Sequence, residues 1–167
     1  TRIPEIMLPR EGTDLSKWAV IACDQYTSQP EYWAETDRTV GSAPSTLRLT
    51  LPEVYLEDAN VAERTAEIHR TMRRYVEDGT LRTLPAGVIL TERWSGGSCP
   101  RRGIVLAVDL EAYEYTPGSA SLIRPTEKTV VERIPPRLKV RQGACMELPH
   151  IMILIDDPDR KIIEPLF

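Results

Sequence analysis

The chain has little of what several familiar protein classes require. Among its 167 residues are three cysteines, two histidines and one phenylalanine. Cys23, Cys99 and Cys145 are too few and too scattered for a disulfide framework, and no Cys-x-x-Cys pair offers itself for zinc or thiol redox work. With only His69 and His150, a histidine triad or a multi-histidine metal centre lacks material, so no metal ligand set is expected among the site residues. Long hydrophobic runs are missing too. Runs such as Ile151 to Ile155 are far too short to span a bilayer, and the opening residues lack the basic-then-apolar order of an export signal. A cytoplasmic setting without membrane contact is the expectation. Positive charge is also in deficit, with 21 Lys and Arg against 25 Asp and Glu and a pI near 5.3. No global field therefore draws the chain to nucleic acid. The P-loop, dinucleotide, zincin and nucleophile-elbow motifs are all absent.

What is present fits one soluble domain. A composition of 41% hydrophobic and 28% charged residues is ordinary, and a chain of this length buries about two thirds of its unfolded surface. We expect a single α/β (α+β) unit over residues 1–167, with a mixed sheet and at least two long helices. The opening segment, with two prolines and an Glu-Gly-Thr-Asp turn, reads as an extended arm. "WAVIACD" (18–24) and "HIMILIDD" (150–157) are almost wholly apolar before their acids, as strands buried on both faces would be. Ser28 with Glu31 makes a capping box for a helix that Gly41 stops. Leu47, Leu49 and Leu51 alternate with Arg48 and Thr50 at the period of a half-buried strand. Asn60 caps the clearest helix, whose stripe is Val61, Ile68, Met72, Tyr75 and Val76 and whose end is Gly79. "AGVILTERW" and "RGIVLAVDL" predict two strands joined by the intervening Gly-rich loop. "KTVVERIPPRLKVRQG" predicts a helix interrupted by Pro135 and Pro136.

Two places carry candidate chemistry. The first is the corner after "WAVIAC". In open α/β sheets, ligands sit beyond the carboxyl ends of strands, where helix N-termini face anions. There Asp24 would stand at a mouth, with Gln25, Thr27 and Ser28 as hydrogen-bonding groups. The competing reading is structural, with Ser28 capping the helix and Asp24 a turn. Asp156 and Asp157, before Pro158, read more simply as an exposed turn. The second place is 121–141, which holds Arg124, Lys128, Arg133, Arg137, Lys139 and Arg141 against Glu127 and Glu132. Arg124 with Thr126 and a helix start near 126–129 would grip a phosphate. If extended, Arg137, Lys139 and Arg141 would share one face. A solvated surface, or a contact to another part of the protein, explains the same run. His69 reads as a surface residue, His150 as a packing residue, and Trp18, Trp33 and Trp94 as core or loop anchors. Cys23 is expected to point into the core rather than act as a nucleophile.

Four phrases, "WAVIACDQYTSQPEYW", "APSTLRLTLPEVYLED", "GSASLIRPTEKTVVERIPPRLKVR" and "ELPHIMILIDDP", together resemble the N-terminal part of the bacterial domain-of-unknown-function family 1015, across nearly the whole chain. Members of that family are longer and carry further on an Asp-Gly-His-His-Arg motif that does not occur here. The resemblance implies that this is the front portion of a larger protein, with much of the active site outside it. That motif is similar to one in free-serine kinases and ParB-like nucleotide-binding proteins. By this analogy the activity would be phosphoryl transfer on serine or phosphoserine. Arg124, Thr126, Lys128 and Arg137 would then bind phosphate, and Asp24 would be the catalytic acceptor of the hydroxyl proton. A nucleotide and a divalent metal are the cofactors such chemistry calls for. The partners implied are a phosphorylated small molecule or nucleotide and the C-terminal part of the full-length protein. The alternative is a non-catalytic module whose basic segment docks that part or another partner. Nucleic-acid binding through 133–141 is disfavoured by the acidic total and the lack of interleaved aromatics.

Overall fold

The computed structural model describes residues 2–97, 99–110, 113–114, 116–125, 130–148 and 150–167. Its contacts gather in two compact units. One comprises residues 1–7, 83–129 and 152–167, the other residues 8–82 and 130–151. We call these the first and second units.

Helices build the second unit. Helix α1 (Leu15–Trp18) is a single turn, started by Asp14, whose carboxylate accepts from the Ser16 N–H and hydroxyl. Helix α2 (Pro30–Val40) begins at a proline whose missing N–H costs nothing in the first turn. It ends at Gly41, which holds φ 58°, ψ −130°, a region closed to side-chain-bearing residues. Helix α3 (Val61–Glu77) is the longest element, as its 3.6-residue apolar period predicts. Ile68, Met72 and Tyr75 from α3 join Trp18, Trp33, Val40, Leu49, Leu51 and Leu81 in one buried cluster. Helix α4 (Ile134–Arg141) opens with Pro135 and Pro136, after a 3-10 turn at Val131–Arg133. The prolines therefore start this helix and do not interrupt it, because a first turn needs no N–H donors.

Among the described residues the strands are short and form two two-stranded sheets. β1 (Ile6–Pro9) pairs with β2 (Leu81–Leu84). In the first unit, β3 (Ile89–Arg93) pairs antiparallel with β4 (Arg101–Val105), with Thr91 opposite Gly103. This is the expected hairpin. The α+β class expected from the sequence holds; its strands make two ribbons where a mixed sheet was expected. No helix among the described residues is long and apolar enough to cross a membrane.

Three predicted strands are not strands. Residues 19–24 have no ladder partner among the described residues: the Cys23 carbonyl accepts from the Glu53 N–H at 2.8 Å, and the Gln25 N–H turns back to the Ala22 carbonyl. Around Leu47 a local hydrogen bond wins over alternation. Ser45 Oγ accepts from the Leu47 N–H and winds Thr46–Arg48 into a 3-10 turn, although Leu49 and Leu51 are buried as expected. Residues 151–155 lie bare, with no secondary structure. Two caps also differ. The residue before α2 is Gln29, one past Ser28, and it makes no side-chain cap bond. Asn60 gives its oxygen to Arg64 Nε at 3.1 Å instead of to a backbone N–H. Val76, expected on the buried stripe of α3, is exposed.

Candidate functional site

Two arrangements in the second unit bring chemistry-bearing side chains together. The first is the corner that the sequence singled out. Asp24 is exposed and accepts from Gln25 Nε2 at 3.3 Å. Thr27 and Ser28 are exposed, with no side-chain hydrogen bond among the described residues. Tyr26 holds φ 51°, a conformation rare for an aromatic residue, while its ring stacks on Tyr32 with centroids 4.0 Å apart. Behind the corner, Glu53 lies with only 11% of its side chain exposed and pairs with Arg137 at 2.5 Å. Arg137 thus reaches the neighbourhood of Asp24, as an ion-paired side chain and not as a free anion receptor. Cys23 sits among these groups. Burial, and then the Glu53 and Asp24 carboxylates, push its thiol pKa up, against weaker opposing effects of a backbone hydrogen bond and Arg137. It stays protonated at neutral pH, the wrong state for a nucleophile.

The basic segment is largely spent internally. Arg137 and Arg141 lie four residues apart on one side of α4, and Arg141 pairs with Glu147 at 3.1 Å. Lys139 falls on the other side, so the single cationic face expected of an extended strand does not form. His69, expected at the surface, is half-buried: its Nε2 donates to the Val140 carbonyl at 2.8 Å and ties α3 to α4. His150, expected to pack, is exposed; Trp94 is exposed and donates from Nε1 to Glu92 at 3.1 Å. Arg124 belongs to the first unit, is exposed, and donates from Nε to the Ser121 carbonyl at 2.9 Å. Thr126 and Lys128, and the helix start expected near them, lie outside the described residues. Asp157 accepts from the Lys161 and Ile162 N–H groups, which makes it the turn residue the simpler reading expected.

The second arrangement was missed from the sequence. A groove of about 750 Å³ runs beside α3, between it, α2 and residues 47–55. Trp33, Leu51 and Ile68 contribute its apolar surface, and Arg48, Arg64, Arg70 and Arg74 project cations along it against Asp37, Glu63 and Glu67. Arg48 is held by Asp37 and by the Gly41 carbonyl. Arg70 is held by Glu67, whose carboxyl is thereby kept below the usual range. Arg64 donates from Nε to Asn60 Oδ1 at 3.1 Å, pairs with Asp58 at 3.5 Å and lies 4.3 Å over the Tyr55 ring. Arg74 is less committed. Arg74 gives one weak bond to Thr71 Oγ1 at 3.4 Å and pairs with no carboxylate among the described residues. Since a guanidinium carries five N–H donors, both keep donors for an acidic ligand. The signal was available: residues 60, 63, 64, 67, 70, 71 and 74 form a band beside the apolar stripe of α3 on a 3.6-residue wheel. In sequence that band looks like an ordinary solvated helix face. The residues opposite it, from 33 to 55, come only with the fold.

Residues 7–167 match the family described as "Protein of unknown function (DUF1015)". The chain belongs to that family. The match covers the corner, the groove and the basic helix alike, so all three are family territory, but the family's description assigns none of them a role. No curated protein matches the chain, and no solved structure does.

Proposed function

We propose that the second unit binds a phosphorylated small molecule or a nucleotide in the groove beside α3, as the anion-binding part of a phosphoryl-transfer enzyme acting on serine or phosphoserine. The observation that carries the binding reading is the pair of arginines that keep unused donors, Arg64 and the lightly held Arg74, in a groove of ligand-sized volume with an apolar floor. They stand ten residues apart on one helix, roughly 15 Å along its axis, so a bare phosphate would meet one of them and an elongated phosphorylated molecule both. The serine half of the reading rests on the family resemblance. In such an enzyme the solvent-facing Asp24 would take the substrate hydroxyl's proton. A divalent metal accompanying a nucleotide needs only one or two carboxylates besides the phosphates, so it does not require the group of three ligands that the described residues do not assemble.

A thermal-shift panel of ATP, ADP, pyrophosphate and phosphoserine tests this. At least one phosphate compound is expected to raise Tm, and Arg74→Ala to abolish the rise. A rise removed by Arg124→Ala and kept by Arg74→Ala would move the anion site to the first unit. No rise with any compound would leave the second reading, an interaction module. That reading draws on a different observation, the bare apolar run at 151–155.

A further inference from the structure

We infer that Ile151–Ile155 is a strand-pairing site for a second copy of this chain. The five consecutive apolar side chains are 47 to 84% exposed. Among the described residues their backbone has no hydrogen-bond partner, and it enters no sheet. An apolar stretch outside any sheet, with backbone groups left to pair, is a template for adding a strand once it extends. Its sequence determines which strand fits. Ile151, Ile153 and Ile155 fall on one face and Met152 and Leu154 on the other once the run is extended. About Ile153 the run reads nearly the same in both directions, so an antiparallel pair of identical copies places Ile153 opposite Ile153, Met152 opposite Leu154 and Ile151 opposite Ile155.

The flanks select that register. Antiparallel pairing sets His150 of each copy opposite Asp156 of the other, giving two complementary pairs related by a two-fold axis. Parallel pairing would stack Asp156 on Asp156 and Asp157 on Asp157, and directly opposed like charges destabilise a sheet. Pro158 then ends the ladder, because it has no N–H to donate. The same closed geometry uses the β-branched residues where a pleated surface favours them. It is independent of the groove and of any ligand.

Analytical ultracentrifugation across a wide concentration range tests the pairing. A monomer–dimer equilibrium is expected. Ile153→Lys, at a half-exposed position whose change leaves the fold intact, sets two ammonium groups face to face on the axis and should weaken dimerisation by at least about tenfold. Asp156→Lys should weaken it as well, and the double change His150→Asp with Asp156→Lys should restore it, a rescue that a merely structural role would not give. Monomer at every concentration, a dimer unmoved by Ile153→Lys, or open-ended aggregates in place of dimers would each overturn the proposal. So would a chain continuing past Phe167 that stays monomeric while the 167-residue chain dimerises, since the continuation would then cover the run.

Discussion

Ser45 has no exposed surface and does the work of several residues. Its hydroxyl donates to the Trp18 carbonyl at 3.2 Å and accepts from the Leu47 N–H, while its own N–H donates to Tyr75 Oη. It thereby fixes the end of α1, the turn that follows and a core aromatic of α3 to one another. Ser45→Ala leaves a buried N–H and part of a carbonyl's bonding unmet, and is expected to cost about 1–3 kcal/mol in urea denaturation, with the m-value unchanged. A loss near zero would mean that the Thr46 hydroxyl, already 2.8 Å from the same carbonyl, carries the junction alone. Cys23 gives a second prediction at this scale. Its raised thiol pKa predicts that Cys99 and Cys145, both exposed, react first with a thiol reagent near pH 8 and that Cys23 reacts slowly until the protein unfolds. Equal rates for all three would show the Cys23 corner to be open.

At the scale of elements, the ends of the helices depend on specific groups. Asp14 and Asp78 each hold a carboxyl below its ordinary pKa, Asp14 by bonds from the Ser16 hydroxyl and N–H and Asp78 by Thr80. Their folded pKa values lie below the unfolded ones, so the stabilisation is complete above the unfolded value. It is lost as pH falls through the folded value, below roughly pH 4. Tm should therefore fall on acidification through that range, and Asp14→Asn should flatten part of the fall; a Tm that rises there would contradict the assignment. Gly41→Ala forces a side chain into φ 58°, ψ −130°, and should cost about 1–3 kcal/mol.

These elements also show what could be read in advance. Helix α3 was legible because seventeen residues keep one period, and the β3–β4 ribbon because two β-rich runs flank a glycine loop. The apolar runs at 18–24 and 150–157 were not, because apolarity shows that a segment seeks cover and says nothing of whether a neighbour with free N–H and C=O groups exists. At Thr46 a single hydroxyl from Ser45 outweighed the alternation of three leucines. The Asp24 corner was legible as a place of polar convergence, and Arg137 does reach it; that Glu53 neutralises Arg137 comes only with the fold. Arg64 and Arg74 look like any exposed helix cations until α2 and residues 47–55 make a wall beside them.

For the whole molecule, the acidic balance gives the groove its meaning. In a chain with net charge −4, a local excess of arginine is a departure from the general field, and the four arginines of the groove outnumber its three acids. The basic segment at 121–141 shows the same departure in sequence, but its Arg137 and Arg141 are already neutralised within their own unit. Anion binding is thus argued from α3 and not from α4. The most direct test is calorimetric titration of pyrophosphate and ATP into the wild-type chain and Arg74→Ala at low ionic strength. The account predicts saturable binding that weakens with added salt and falls at least about tenfold in the variant. Binding of equal strength in both proteins, or none in either, would contradict it.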